Sequence, residues 1–142
     1  MSPKPLKQQI EETRTYYDSI GRVYSKILNS YVYFTAEGKR HLLYKGNRKK
    51  RDVNEQRYKL NLFPLVIPVL KHATSIQDWR FPDGQQEEDV QYYAVVCNVG
   101  SKRKLPVRVI VMRTGDGQIN YHSVMKHVNS SRTKKPRKKR GS

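Results

Sequence analysis

The stretch that most constrains the fold begins at Val90. Residues 90–99, 105–113 and 118–126 are rich in Val, Ile and Tyr, the β-branched and aromatic types that suit a pleated, half-buried surface. They are separated by GSKRK and by Thr114-Gly115-Asp116-Gly117, short glycine-containing links of the kind that close antiparallel hairpins. The pattern predicts a three-stranded meander. Such a sheet must bury one face against another layer, and the residues ahead of it offer that layer at helical spacing.

Leu6, Ile10, Tyr17, Ile20, Tyr24, Ile27 and Leu28 recur every three to four positions and predict an amphipathic helix over 6–28, weakened at Gly21. Tyr31 to Phe34, YVYF, reads as a short strand. Thr35 offers an N-cap with Glu37 in the first turn, which predicts a short helix through His41 to Lys45, stopped by Gly46-Asn47. Asp52 and Glu55 resemble a capping box, and Tyr58, Leu60, Phe63, Ile67 and Leu70 form the apolar face of a longer helix. Pro64 and Pro68 each remove an amide donor, so that helix should break near Phe63 and restart at Pro64. Residues 80–89, RFPDGQQEED, carry turn chemistry and read as a loop. Helices first and sheet last give an α+β fold, with N-terminal helices on one face of a C-terminal antiparallel meander and the other face left for a ligand.

A chain of 142 residues with 36% hydrophobic content supports one domain. The expected division is a helical extension over 1–30, an α+β domain over 31–127 and a polybasic tail over 128–142, too polar to pack and expected to be disordered when unbound. Cys97 stands alone in an apolar run, so neither a disulfide framework nor a cysteine-based zinc site can form within one chain. The apolar stretch LFPLVIPVL at 62–70 is too short to span a membrane and is interrupted twice by proline. With no signal-peptide pattern at the start, the expected location is the cytoplasm, or the nucleus in a eukaryotic host, where KKPRKKR would serve as an import signal.

The charge names a partner. Residues 39–51 carry seven Lys or Arg and no acid, residues 132–140 carry seven more, and of the net +17, +10 remains on the body when the tail's seven are set aside. Each cation that neutralises a phosphate releases a condensed counterion, so RNA is the expected ligand, with DNA as the alternative polymer. Arg40, Arg48, Lys49, Lys50, Arg51, Arg57 and Arg108, with Tyr121 and His122, are the expected nucleic-acid contacts.

Whether such a protein also cuts its ligand depends on acid–base groups. No paired carboxylates or spaced His/Asp metal set is visible in the basic regions, which disfavours a metal-dependent nuclease, and no cofactor is expected. RNA can be cleaved without metal by a base that takes the 2′-hydroxyl proton, cations that stabilise the phosphorane and an acid that protonates the leaving 5′ oxygen. The candidates for these roles are His41 with Lys45 on the short helix, Arg51 and Arg57 around the next helix start, and Arg108, Arg113, Tyr121, His122 and Ser123 on the sheet. On the last strand only one parity can face a ligand: Tyr121 and Ser123 share one face, Asn120, His122 and Val124 the other.

The segments VYFTAEGKRHLLYK at 32–45, RDVNEQRYKLNLFPLVIPVL at 51–70, and YYAVVCNV, VRVIVMRTGDGQI and YHSVMK beyond them together resemble the phage-associated members of the barnase, EndoU, colicin and RelE-like nuclease superfamily. The resemblance covers about residues 31–126 and lies in the order of elements and spaced polar residues. It implies two helices on a four-stranded antiparallel sheet, with YVYF or a further segment supplying the missing strand. It further implies a toxin-like, metal-independent endoribonuclease that leaves a 2′,3′-cyclic phosphate, acting on tRNA or another structured RNA. His41 would be base or acid, Lys45, Arg51 and Arg113 would hold the phosphate, and Ser123 would orient the substrate. An antitoxin or immunity protein would be a further partner. The competing reading is a basic RNA- or DNA-binding protein without catalysis.

Overall fold

The computed structural model describes residues 4–45, 49–50, 53–79, 89–99 and 104–127, with 44–45 and 49–50 described by their backbone. The fold is α+β. In chain order the elements are α1 (Leu6–Ile20), β1 (Arg22–Ser25), β2 (Ser30–Tyr33), α2 (Ala36–Leu43), β3 (Tyr44–Lys45), β4 (Lys49–Lys50), α3 (Val53–Leu62), a 3-10 turn (Phe63–Leu65), α4 (Val66–His72), β5 (Ser75–Asp78), β6 (Val90–Val99), β7 (Leu105–Thr114) and β8 (Ile119–Lys126).

The meander forms as expected: β6 pairs with β7 over ten positions, and β7 turns into β8 where the Gly117 amide donates to the Thr114 carbonyl at 2.9 Å. The sheet is larger than the sequence suggested. Six strands run in the order β1-β2-β8-β7-β6-β5, and β2 joins β8 in parallel at Val32↔Ile119 and Tyr33↔Asn120. YVYF therefore does supply a strand, but in a mixed sheet rather than an antiparallel one.

Three local readings are corrected. The first helix ends at Gly21, whose φ of 69° is a left-handed conformation that glycine adopts without strain. Beyond it residues 22–25 extend as β1 against β2, Val23 facing inward beside Val32. The second helix ends at Leu43, and Tyr44 and Lys45 pair with Lys50 and Lys49 in a two-stranded ladder instead of continuing it. The proline-interrupted helix breaks near Phe63 as expected, but a 3-10 turn over Phe63–Leu65 absorbs Pro64 and the helix restarts at Val66 rather than at Pro64. The polybasic tail, most of the 80–89 loop, Arg48 and Arg51 lie outside the described residues.

Helices pack on one face of the sheet, where Val95, Val107, Val109, Val111 and Val124 are fully buried together with Val66, Val69 and Leu70 of α4. Four rings fasten α1 to this layer. Tyr17 stacks on Phe63 at 5.4 Å, Phe34 stacks on Tyr121 at 5.3 Å, and the pairs meet edge to face, geometries worth about 0.5–1.5 kcal/mol each beyond burial. The segment expected as an extension over 1–30 thus contributes Tyr17 and Val23 to the same core. Tyr121 belongs to it as well, 1% exposed, which removes it from the expected nucleic-acid contacts.

Because β2 pairs with β8 at only two positions, most of that side of β8 has no neighbouring strand among the described residues. Helices α2 and α3 cover it. The Lys59 ammonium donates to the Val124 carbonyl at 2.5 Å, and the Lys126 amide donates to the Tyr58 hydroxyl at 2.8 Å, so side chains stand in for the missing strand's hydrogen bonds. This edge-on approach brings α2 to the strand that carries His122.

Candidate active site

Thr35 caps α2 as its sequence position implied, its hydroxyl accepting from the Gly38 amide at 3.3 Å. One turn further, His41 Nε2 lies 3.2 Å from Glu37 Oε2, while the other oxygen of that carboxylate pairs with Arg40. The i, i+4 spacing places both groups on one helix face. The His41 side chain is 34% exposed, and its ring lies against that of His122 with centroids 4.3 Å apart.

His122 reaches this position through a β-bulge. In the β7–β8 register Ile110 faces Ser123 and Val111 faces Tyr121, so His122 is an extra residue with no opposite number. A bulge re-aims side chains and resets strand parity. Ile119, Tyr121 and Val124 consequently all enter the core, while His122 turns to the far side and meets Tyr92 edge to face at 5.2 Å. Strict alternation along β8, and the choice between two parities that followed from it, is therefore corrected.

Burial is the main force pushing the His122 imidazole down, to about 4, and the neighbouring His41 and Lys59 push it in the same direction. It is neutral near pH 7 and a weak base there, an uncharged ring packed against His41. Lys59, only 9% exposed, also donates to Ser123 Oγ at 3.2 Å, and Gln56 behind it donates to the Leu43 carbonyl at the end of α2. Two neighbouring imidazoles, one reaching solvent beside a carboxylate, form a group that can exchange protons with a bound phosphodiester.

Of the expected set, the structure brings together His41, His122, Ser123 and Arg40. Arg113 turns away, its Nε donating to the Gly117 carbonyl in the β7–β8 turn at 2.8 Å. Arg57 is tied to α1 through the Lys4 carbonyl and Gln9 Oε1. Arg108 lies over the Trp79 ring at 4.5 Å and contacts His127 Nδ1 at 2.9 Å. Sequence reasoning missed Glu37 as a partner of His41, Lys59, and Tyr92. The i, i+4 spacing of Glu37 and His41 was the available signal for the first; nothing local marks Lys59 as a buried lysine. Among the described residues no cluster of three or more His, Cys, Asp or Glu is placed to hold a metal ion.

Comparisons with family models, curated proteins and solved structures return no match to this chain. No helix among the described residues is long and apolar enough to cross a membrane.

Proposed function

We propose that this protein cleaves RNA without a metal ion, by attack of a ribose 2′-hydroxyl on its own phosphate. The observation that carries the reading is the pairing of solvent-reaching His41 with neutral His122 at 4.3 Å. One imidazole removes the 2′-hydroxyl proton, the 2′ oxygen bonds to phosphorus, and the P–O5′ bond breaks as its oxygen takes a proton from the imidazolium so formed, which returns that ring to its neutral state and gives a 2′,3′-cyclic phosphate and a 5′-hydroxyl. His41 is the group placed to touch the substrate, with Glu37 orienting its ring and Arg40 beside it for the phosphate. Lys59 holds Ser123 and the β8 backbone in register and acts as a positioning residue. The resemblance to the metal-independent nuclease superfamily supports the same chemistry.

The test is purified protein with total RNA in EDTA. Fragments with cyclic phosphate ends are expected, and His41→Ala should slow their appearance by about 100-fold or more, the usual range for loss of an acid–base group. Intact RNA after prolonged incubation with the wild type refutes cleavage. A non-catalytic RNA- or DNA-binding role is the second reading, favoured by Arg113, expected to hold the phosphate in cleavage, donating instead to the Gly117 carbonyl. Under it His41→Ala binds RNA as the wild type does and neither protein produces fragments.

A further inference from the structure

The β1–β2 hairpin carries a surface that the histidine pair does not use. Tyr16, Tyr24 and Tyr31, exposed by 38%, 45% and 40%, are the exposed large aromatics among the described residues, and all three lie at this end of the molecule. Tyr24 and Tyr31 are cross-strand partners with rings 5.4 Å apart, and Arg22 lies over the Tyr31 ring at 4.1 Å. Tyr16 is braced from behind by Phe63, edge to face at 5.7 Å. Tyr16, Arg22, Tyr24 and Lys71 line one open cleft of about 460 Å³, and Lys71 and Lys26 line a second of about 530 Å³. No carboxylate lines either cleft among the described residues. Rigid exposed rings alternate here with cations over two clefts that share a lysine.

We propose that this surface binds single-stranded nucleic acid, with bases stacked on Tyr24, Tyr31 and Tyr16 and phosphates held by Arg22, Lys26 and Lys71. Stacking on an aromatic ring requires an unpaired base, because in a duplex the ring faces are already covered by neighbouring bases. Register links this surface to the histidine pair. Tyr31 and Tyr33 share a sheet face, and through Tyr33↔Asn120, Asn120↔Met112 and Met112↔Tyr92 that face runs to the ring against which His122 packs. A strand anchored at the hairpin is thereby led across the sheet toward His41. The inference rests on the reading above for its class of partner only.

The experiment uses fluorescence anisotropy with the full chain and a labelled 12-nucleotide oligothymidine, which has no 2′-hydroxyl and cannot be cut by the proposed route. The same strand annealed to its complement, and phosphatidylserine vesicles, serve as competitors. The single strand should bind more tightly than the duplex, and Tyr24→Ala with Tyr31→Ala should weaken it by about tenfold or more, while Phe at both positions retains binding. Replacing Arg22, Lys26 and Lys71 by Ala should reduce the slope of log affinity against log salt by about 0.7 for each phosphate no longer neutralised. Because the oligonucleotide cannot be cut, its binding reads out apart from catalysis: loss of cleavage alone leaves this surface standing, and loss of tyrosine-dependent binding alone leaves cleavage standing. Equal binding by the wild type and the Tyr24→Ala, Tyr31→Ala variant overturns the proposal. So does equal affinity for duplex, or tyrosine dependence seen only with vesicles.

Discussion

Gly38→Ala sets two physical effects against each other at the helix that carries His41. Gly38 lies inside α2, where alanine is favoured over glycine by about 1 kcal/mol. Propensity alone therefore expects a stabilised protein. The space is already taken: a Cβ at this position would stand 2.8 Å from the Tyr121 carbonyl oxygen and closer still to the Tyr17 hydroxyl. Tyr17 cannot yield freely, because its hydroxyl donates to the Thr35 carbonyl at 2.7 Å and its ring is 2% exposed among Phe34, Phe63 and Tyr121. Overpacking of this kind costs about 1–3 kcal/mol, and losing the Tyr17 hydrogen bond adds about 1 kcal/mol. The expected net loss is roughly 1–3 kcal/mol, a fall in Tm of about 2–4 °C for each kcal/mol at this chain length. Urea unfolding gives the free energy directly. Adding Tyr17→Phe should recover only part of it, since the Tyr121 backbone oxygen remains. A Gly38→Ala protein as stable as the wild type, or more so, would show that α2 does not approach β8 this closely and would loosen the case for the histidine pair.

Other consequences follow from the same region. His122 titrates near 4 in the fold against about 6.5 in an unfolded chain, so between these values the unfolded chain binds more protons. Stability should then rise with pH across that window, and about 2–3 kcal/mol should be lost as pH falls from about 6.5 toward 4; His127, lowered by burial and by Arg108, acts in the same direction. Urea midpoints measured from pH 7.5 to 4.5 test this, and His122→Gln should flatten the profile. Lys59→Met keeps the aliphatic stem but leaves Ser123 Oγ and the Val124 carbonyl without the ammonium, for an expected loss of about 1–3 kcal/mol in the same melts.

How legible these features were in the sequence depended on whether their cause was local. Strands β6 to β8 announce themselves by composition and by the glycines of the turn, and Pro64 places the break between α3 and α4. Strand β1 was hidden because Ile20, Tyr24, Ile27 and Leu28 fall by chance at helical spacing, and only the backbone at Gly21 decides otherwise. Strand β5, Ser75–Asp78, is exposed at every position and so shows no alternation to detect. The parallel contact of β2 with β8 is made far along the chain and leaves no local mark. At the candidate site, the place of His41 on a short capped helix was legible from Thr35 and Glu37. The position of His122 beside His41 was not legible because a one-residue bulge resets parity without altering composition, nor was that of Lys59, because a lysine is expected at the surface unless its partners are known.

The contact between Val32 and Ile119 has a further consequence for the order of events during synthesis. Closing so long a stretch of chain is entropically costly and slow, and β8 leaves the ribosome last among the strands. A nascent or truncated polypeptide ending before residue 119 holds His41 with no second imidazole to meet it. Assembly of the pair is thus withheld until β8 has been synthesised, and chains that stop short of it never bring the two rings together.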